Sequence, residues 1–457
     1  MSNTSTNTNT NVSTNLASTK DLKRVLGRKE LLSIAIGQTI GSGVFALTGV
    51  AIGMTGRSTS LAMLIAAIFT LAMTVPMIFV SGTIRMRGGF YTQLALLSHK
   101  AFSGFFIIIH ILAWSALSMY AISFADYTFA LIPGINKTLV AFVVLTVIYL
   151  VNLFGMEGAS KLQTLMTVIM TIAIVVFSAF GIGKIQPGFF SPPDFMTNGV
   201  SGLFAAGALL TWAIGGANVV IHLGAEAKNP TRDIPFAVIA GTLIVAIFYA
   251  FMSTVASGVL PVSEVAGQPL TLVAEKVLSK PLYVLFVVGG AMFALITTLN
   301  ACFGWVTKPI LQASVDGWLP KGLGALNKYK TPYIILTLLY IESLIPIFFR
   351  FNVSTIGNMA VILNNLFFAI VCYSAINLPK VLPDLWAKSK YHVSYKVLAF
   401  FSILGAISTI AQIWLLVGVL TPAEFIGNGA VAIFAMGYSV LRLKSGKVNM
   451  EVSYEEA

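Results

Sequence analysis

Ile40-Gly41-Ser42-Gly43-Val44 lies inside an apolar run from Leu31 to Met54, and the reading of these five residues decides the fold. Each glycine costs roughly 1 kcal/mol of helix propensity relative to alanine, so two of them around a serine predict an interruption where a bilayer favours an unbroken helix. Peptide groups released there cannot stay bare in hydrocarbon, and an interruption persists only where it lines a protected cavity or holds something polar. Small residues also let membrane helices pack closely, and the five residues alone leave both roles open.

The surroundings favour a membrane. Of the 457 residues, 57% are hydrophobic and 10% charged, against roughly 25% charged in soluble domains. The tract from Ser2 to Thr19 is rich in Ser, Thr and Asn, lacks an apolar signal region, and is expected to be a disordered tail. Cys302 and Cys372 both fall in apolar runs, so neither a disulfide framework nor a metal cluster is expected. The net charge of +12 does not point to nucleic acid, because Lys and Arg sit in short clusters between apolar runs.

Windows of about 20 apolar residues fall near 31–54, 60–83, 102–132, 138–155, 161–183, 200–226, 236–260, 283–307, 333–349, 353–378, 396–420 and 424–442, with an interfacial segment from Gly88 to Lys100. With the N-terminus cytoplasmic, only Arg57, Lys137, Lys184, Lys276, Lys280 and Arg350 of the 28 Lys and Arg residues lie outside. That asymmetry predicts an even number of spans with both termini inside. A second glycine pair, in Trp212-Ala213-Ile214-Gly215-Gly216-Ala217-Asn218, interrupts the sixth window. An offset of five spans reverses helix direction, so spans one to five and six to ten are expected to be inverted copies, and interrupted helices at matching places mark a midplane site. The expected layout is a tail over 1–29, a transmembrane domain over 30–443 and a cytoplasmic tail over 444–457. Within the domain, repeats cover about 30–184 and 199–379, and two extra helices about 395–443.

Ile36-Gly37-Gln38-Thr39-Ile40-Gly41-Ser42-Gly43-Val44-Phe45 resembles the first-helix signature of the amino acid–polyamine–organocation superfamily. Gly88-Gly89-Phe90-Tyr91, the stretch from Glu226 to Pro235, and Asp316-Gly317-Trp318-Leu319-Pro320 match further motifs in order. The resemblance implies an all-α polytopic transporter of twelve helices with the LeuT-like five-plus-five inverted repeat, helices one and six unwound at midplane, and alternating access. Within the superfamily the match is nearest to L-type and other small neutral amino acid permeases and exchangers of bacteria.

An amino acid zwitterion needs partners for a carboxylate and an ammonium. Amides from Ser42 to Val44 at a helix N-terminus suit the first, with the helix dipole behind them. Carbonyls near Ile40, Gly41, Ala213, Ile214 and Gly215 suit the second, and a side chain at Gly43 is expected to fill the room the carboxylate needs. Ser42 adds a hydroxyl or is simply small. The resemblance makes Trp212 an aromatic gate. It also sets Asn218 where arginine/agmatine antiporters carry a glutamate, which favours neutral over cationic substrates because a buried cation needs a carboxylate. Asp126 and Glu342 lie too far from the centre to supply one. Tyr120, Asn300 and Cys302 are candidates to face the site, each with ordinary packing as its alternative.

The coupling ion is the least determined feature. Met170 stands where many relatives place a lysine, Thr297 and Thr298 offer hydroxyls near a cation position, and His222 is able to titrate near neutral pH. Exchange without an ion is the first expectation. Glu226, Lys228 and Arg232 are expected to form a cytoplasmic latch. No cofactor is expected, and no disulfide-linked heavy chain, because the segment Pro133 to Thr138 lacks cysteine. The chain is taken as a monomer or homodimer in the cytoplasmic membrane. Competing readings are a cationic amino acid or polyamine antiporter, a proton- or sodium-coupled symporter, a channel, and an intramembrane serine hydrolase using Ser42 with His110 or His222.

Overall fold

The computed structural model describes residues 26–86, 89–154, 159–223, 227–450, 452 and 454–456. The first half carries α1 (Arg28–Thr39), α2 (Ser42–Thr55), α3 (Thr59–Ser81), α4 (Phe90–Leu97), α5 (Lys100–Ala113), α6 (Leu117–Leu131), α7 (Lys137–Leu153), α8 (Ala159–Ile182), α9 (Gly199–Ile214) and α10 (Pro230–Gly258). After three short helices, α11 (Val262–Val265), α12 (Thr271–Val277) and α13 (Lys280–Val284), come α14 (Phe293–Val315), α15 (Tyr333–Phe348) and α16 (Val353–Ser374). The chain ends with α17 (Leu378–Val381), α18 (Pro383–Lys388), α19 (Tyr395–Val417) and α20 (Pro422–Lys444). The body is all-helical. The only strands among the described residues, β1 (Ile84–Met86) and β2 (Tyr454–Glu456), pair antiparallel between the loop after α3 and the C-terminal tail.

Among the described residues, eight helical stretches are long and apolar enough to cross a membrane, and shorter apolar helices lie at Lys137–Leu153, Val168–Ile182 and Tyr333–Phe348. The chain is therefore a multi-pass membrane protein. Large apolar side chains such as Ile68, Trp414 and Ile433 stand exposed on outward faces, an arrangement that lipid accommodates and water does not. Inward faces use small residues to bring helices together: Gly241 lies against Ala35, Gly207 against Ile65, and Gly405 against Ala72 and Pro76. Regular winding yields at a few places. A 3-10 turn at Trp114–Ala116 joins α5 to α6, and a π-helical turn at Leu285–Met292 precedes α14. Around the interruption, α1 packs on α10, α2 on α9, and α3 on both α9 and α10.

Candidate functional site

Between α1 and α2 the chain leaves helical geometry at Ile40 (φ −71°, ψ 82°) and Gly41 (φ −141°, ψ −155°). In an unbroken helix the Gly43 amide would bond Thr39 O; here the ladder stops. Tyr249, fully buried on α10, serves both sides of the interruption. Its hydroxyl donates to Thr39 O at 2.6 Å and accepts from Gly41 N at 3.3 Å. Thr298 on α14 accepts from Ser42 N at 3.2 Å. The following amides, of Gly43 and Val44, occupy the first turn of α2, where a helix supplies no internal acceptor and its dipole is positive.

The second interruption takes a different form from the first. At Gly215 the α-helix passes into a nine-residue 3-10 helix, Gly215–Leu223, instead of opening into extended chain. Gly215 N still bonds Thr211 O. Beyond it the bonds shorten to i→i−3. Tight winding is compatible with a close crossing. A Cβ added to Gly216 would lie 2.7 Å from Gln38 C and 2.8 Å from Thr39 Cα, while one added to Gly215 would meet open space.

The same geometry corrects the reading of Gly43. A Cβ there would come 2.6 Å from Ala213 Cα and 3.0 Å from Ala213 Cβ. The bare side of Gly43 is thus taken up by the α2–α9 crossing, not by room for a ligand; its amide remains on the buried first turn of α2. Gly41 is bare for another reason, because a Cβ would stand 2.6 Å from Thr298 Oγ1.

Four side chains gather over the first turn of α2. Trp212 Nε1 donates to the Tyr120 hydroxyl at 2.9 Å, and that hydroxyl lies within electrostatic reach of Ser42 and Cys302. Ser42 Oγ is buried beside it, near enough to the Tyr120 hydroxyl to interact with it but short of hydrogen-bond geometry with any partner. Trp114 extends the cluster, 5.5 Å from Trp212 and 4.8 Å from Trp305 between ring centroids. Ile40, Val44, Ala213 and Ile214 are buried around the crossing. Amides at a helix start and a buried hydroxyl form a neutral polar cradle with aromatic cover.

Residues 26–439 match the family described as amino acid permease. The chain belongs to that family. It is 26% identical over 396 residues to the branched-chain amino acid permease BcaP of Bacillus subtilis, covering 80% of this chain and 83% of the relative. It is 30% identical over 268 residues to the serine/threonine exchanger SteT of the same organism, covering 56% and 60%. Against the vacuolar cationic amino acid transporter 2 of Arabidopsis thaliana it is 24% identical over 394 residues, covering 79% and 61%. The permease is thus a member of the amino acid–polyamine–organocation superfamily and not an enzyme. His110 agrees, since its Nε2 faces Val306 O at 3.1 Å.

Several expected residues lie apart from this cradle in the permease. Asn300 Oδ1 accepts from Asn152 Nδ2 at 2.8 Å, which ties α14 to α7. Asn218 Oδ1 accepts from Thr74 at 2.9 Å, turned toward α3. The Thr297 hydroxyl donates along its own helix to Phe293 O at 2.8 Å, and Met170 is fully buried on α8. The side chain of His222 and the whole of Glu226 lie outside the described residues.

The charge cluster expected as a latch is centred on a residue that sequence reading left aside. Asp233, 1% exposed, accepts from Arg28 Nε at 3.3 Å and Arg232 Nε at 2.8 Å. Its hydrogen bond and charge hold the Arg232 guanidinium above its ordinary pKa. Lys228 takes part through its backbone, donating to Leu26 O at 2.8 Å, while its side chain is exposed. Arg28 also stacks over Phe236 at 4.4 Å. The Arg232–Asp233 pair is between chain neighbours, whereas Arg28–Asp233 fastens α1 to α10. Asp233→Asn is therefore expected to lower the melting temperature of the purified permease by a few degrees, Arg28→Gln to reproduce most of that loss, and Arg232→Gln much less. Equal losses in the two arginine variants would contradict this assignment. Tyr249 was also missed; nothing in the sequence sets its hydroxyl apart from those of Thr242, Ser253, Thr254 and Ser257 on the same helix.

Proposed function

We propose that this permease exchanges neutral L-amino acids across the cytoplasmic membrane by alternating access. The carboxylate is held by the amides of Ser42, Gly43 and Val44 and the Ser42 hydroxyl, and takes over the amide that Thr298 occupies at 3.2 Å. The ammonium is held by carbonyls at Ile40 and at the Ala213–Ile214 junction. Trp212, tethered to Tyr120, covers the solute, with Cys302 beside them. The observation that carries this reading is the buried, unpartnered Ser42 Oγ at the start of a 14-residue helix. A buried hydroxyl without a partner is costly, and a ligand that hydrogen-bonds it recovers the loss.

The reading extends to architecture. Twelve crossings follow if α1–α2, α5–α6, α9 with its 3-10 continuation, and α13–α14 each cross once. The first five and the next five then form inverted repeats, with α19 and α20 added and both termini cytoplasmic. Support comes from the interruptions falling in crossings one and six and lying against each other through Gly216 and Gln38. Neutral substrates are favoured because no carboxylate joins the cradle among the described residues; Asp126 is engaged with Lys137 at 2.8 Å. The apolar Met170 supports exchange without a coupling ion. Both cysteines are buried and free, which fits a chain that acts without a disulfide-linked subunit, as monomer or homodimer.

The test is counterflow. Proteoliposomes preloaded with each of the twenty amino acids in turn are expected to show trans-stimulated uptake for neutral residues only, unchanged by sodium or a pH gradient. Stimulation by lysine or arginine, or an absolute need for an ion, would overturn the reading. Ser42→Ala is expected to raise KM about tenfold, the loss of one hydrogen bond to a charged group, without lowering thermal stability. An unchanged KM would remove Ser42 from the site.

A further inference from the structure

The C-terminal tail does not end at α20. Arg442 Nε donates to Gly317 O at 2.8 Å, and beyond it the tail runs back over the loop that follows α14. Asn449 N donates to Asp316 O at 2.9 Å, Lys100 Nζ donates to Met450 O at 3.0 Å, and Met450 is buried. Gly317, at φ +84°, accommodates the crossing: a Cβ there would sit 3.2 Å from Lys447 C and 3.6 Å from Val448 Cα. The tail finally pairs with β1 in the register Ile84↔Glu456, Arg85↔Glu455 and Met86↔Tyr454. A lone strand such as β1 offers unpaired peptide groups, and an added strand satisfies them.

Two further observations give the pairing a consequence. Ile84 and Met86 of β1 line a narrow cleft with Met77, Phe90, Gln93 and Ile221, where the space left, about 10 Å³, suffices for one water. Ile221 belongs to the 3-10 segment that runs from the cradle toward this end. The anchors are also held firmly, since Asp316 accepts from Tyr91 at 2.5 Å and from Gln312 at 3.0 Å. On the two-repeat reading proposed above, α3 with β1 and α5 belong to the first repeat and α14 to the second, so the tail bridges the two repeats.

We propose that the tail from Gly446 to Met450 together with β2 forms a strap that holds the inner cleft shut, so that opening toward this face requires β2 to leave β1. The strap lowers the rate of inner opening and makes the tail a brake on transport.

The experiment reads accessibility, so that it does not depend on which solute is carried. Ser81→Cys reports from the cleft wall, and the parent chain, whose Cys302 and Cys372 are buried, sets the background. Maleimide labelling is measured in membranes with this face open to the reagent. Removing residues 448–457 is expected to raise the Ser81→Cys labelling rate about fivefold or more, the lower range of coupling between distant sites. In the full-length chain, a disulfide between Arg85→Cys and Glu455→Cys is expected to form on oxidation, to suppress labelling at position 81 as read peptide by peptide, apart from the two cross-linking thiols, and to release it on reduction. Equal labelling in truncated and full-length proteins overturns the proposal, as does a cross-link that fails to form or forms without effect. Should labelling respond while counterflow shows no amino acid exchange, the strap stands and the transport reading fails.

Discussion

Gly43→Val is expected to remove transport and the folded permease together, seen as loss of the monodisperse peak after extraction and of all counterflow. The added branches would enter space already filled by the backbone of Ala213, 2.6 Å from the position of a new Cβ. Overpacking costs typically 1–3 kcal/mol where side chains can give way. Here the obstacle is main chain on a second helix, and relief requires α2 and α9 to separate. Gly215→Ala is the control, since its Cβ would meet open space and the variant should fold. A well-folded Gly43→Val that lacks only binding would return Gly43 to the role of clearing room for a carboxylate.

The second large effect is expected from Tyr249→Phe. The ring is fully buried and phenylalanine keeps its packing, so the change isolates one hydroxyl. That hydroxyl meets Thr39 O at 2.6 Å and Gly41 N at 3.3 Å, on either side of the interruption. Gly41 N keeps its bond to Thr39 O at 2.8 Å, so neither group is orphaned; what is lost is the clamp, about 0.5–1.5 kcal/mol per hydrogen bond, and the interruption is then free to shift its own dihedrals. Because the amides of Ser42, Gly43 and Val44 move with it, KM is expected to rise by ten- to a hundredfold while melting falls only modestly. A drop in melting temperature with unchanged KM would reduce Tyr249 to a packing residue.

Both variants show what could be read from the amino-acid order and what could not. Glycine pairs at Gly41–Gly43 and Gly215–Gly216 signal weak helix, because propensity is a local property of the residue. Whether each becomes extended chain or tighter winding is settled across helices, by Tyr249 and Thr298 at the first and by Gln38 and Thr39 at the second. The apolar windows told which stretches become membrane helices but not which faces meet. Asn300 therefore looked as eligible as Cys302, although they fall on different sides of α14, one against Asn152 and the other against Tyr120. The latch shows the same limit. Glu226, Lys228 and Arg232 were visible as a charge cluster, but the burial that makes Asp233 its centre depends on α1 lying across α10.

The indole cluster has an optical consequence. Of six tryptophans, Trp114, Trp212 and Trp305 share one tilted and edge-to-face cluster, in which Trp212 is hydrogen-bonded to the Tyr120 phenol. Trp414, 78% exposed on the lipid face, answers to quenchers dissolved in the bilayer, whereas the cluster does not. Once that outer emitter is silenced, ultraviolet emission is weighted toward the neighbourhood of Ser42, and the unlabelled protein carries its own spectroscopic reporter of occupancy.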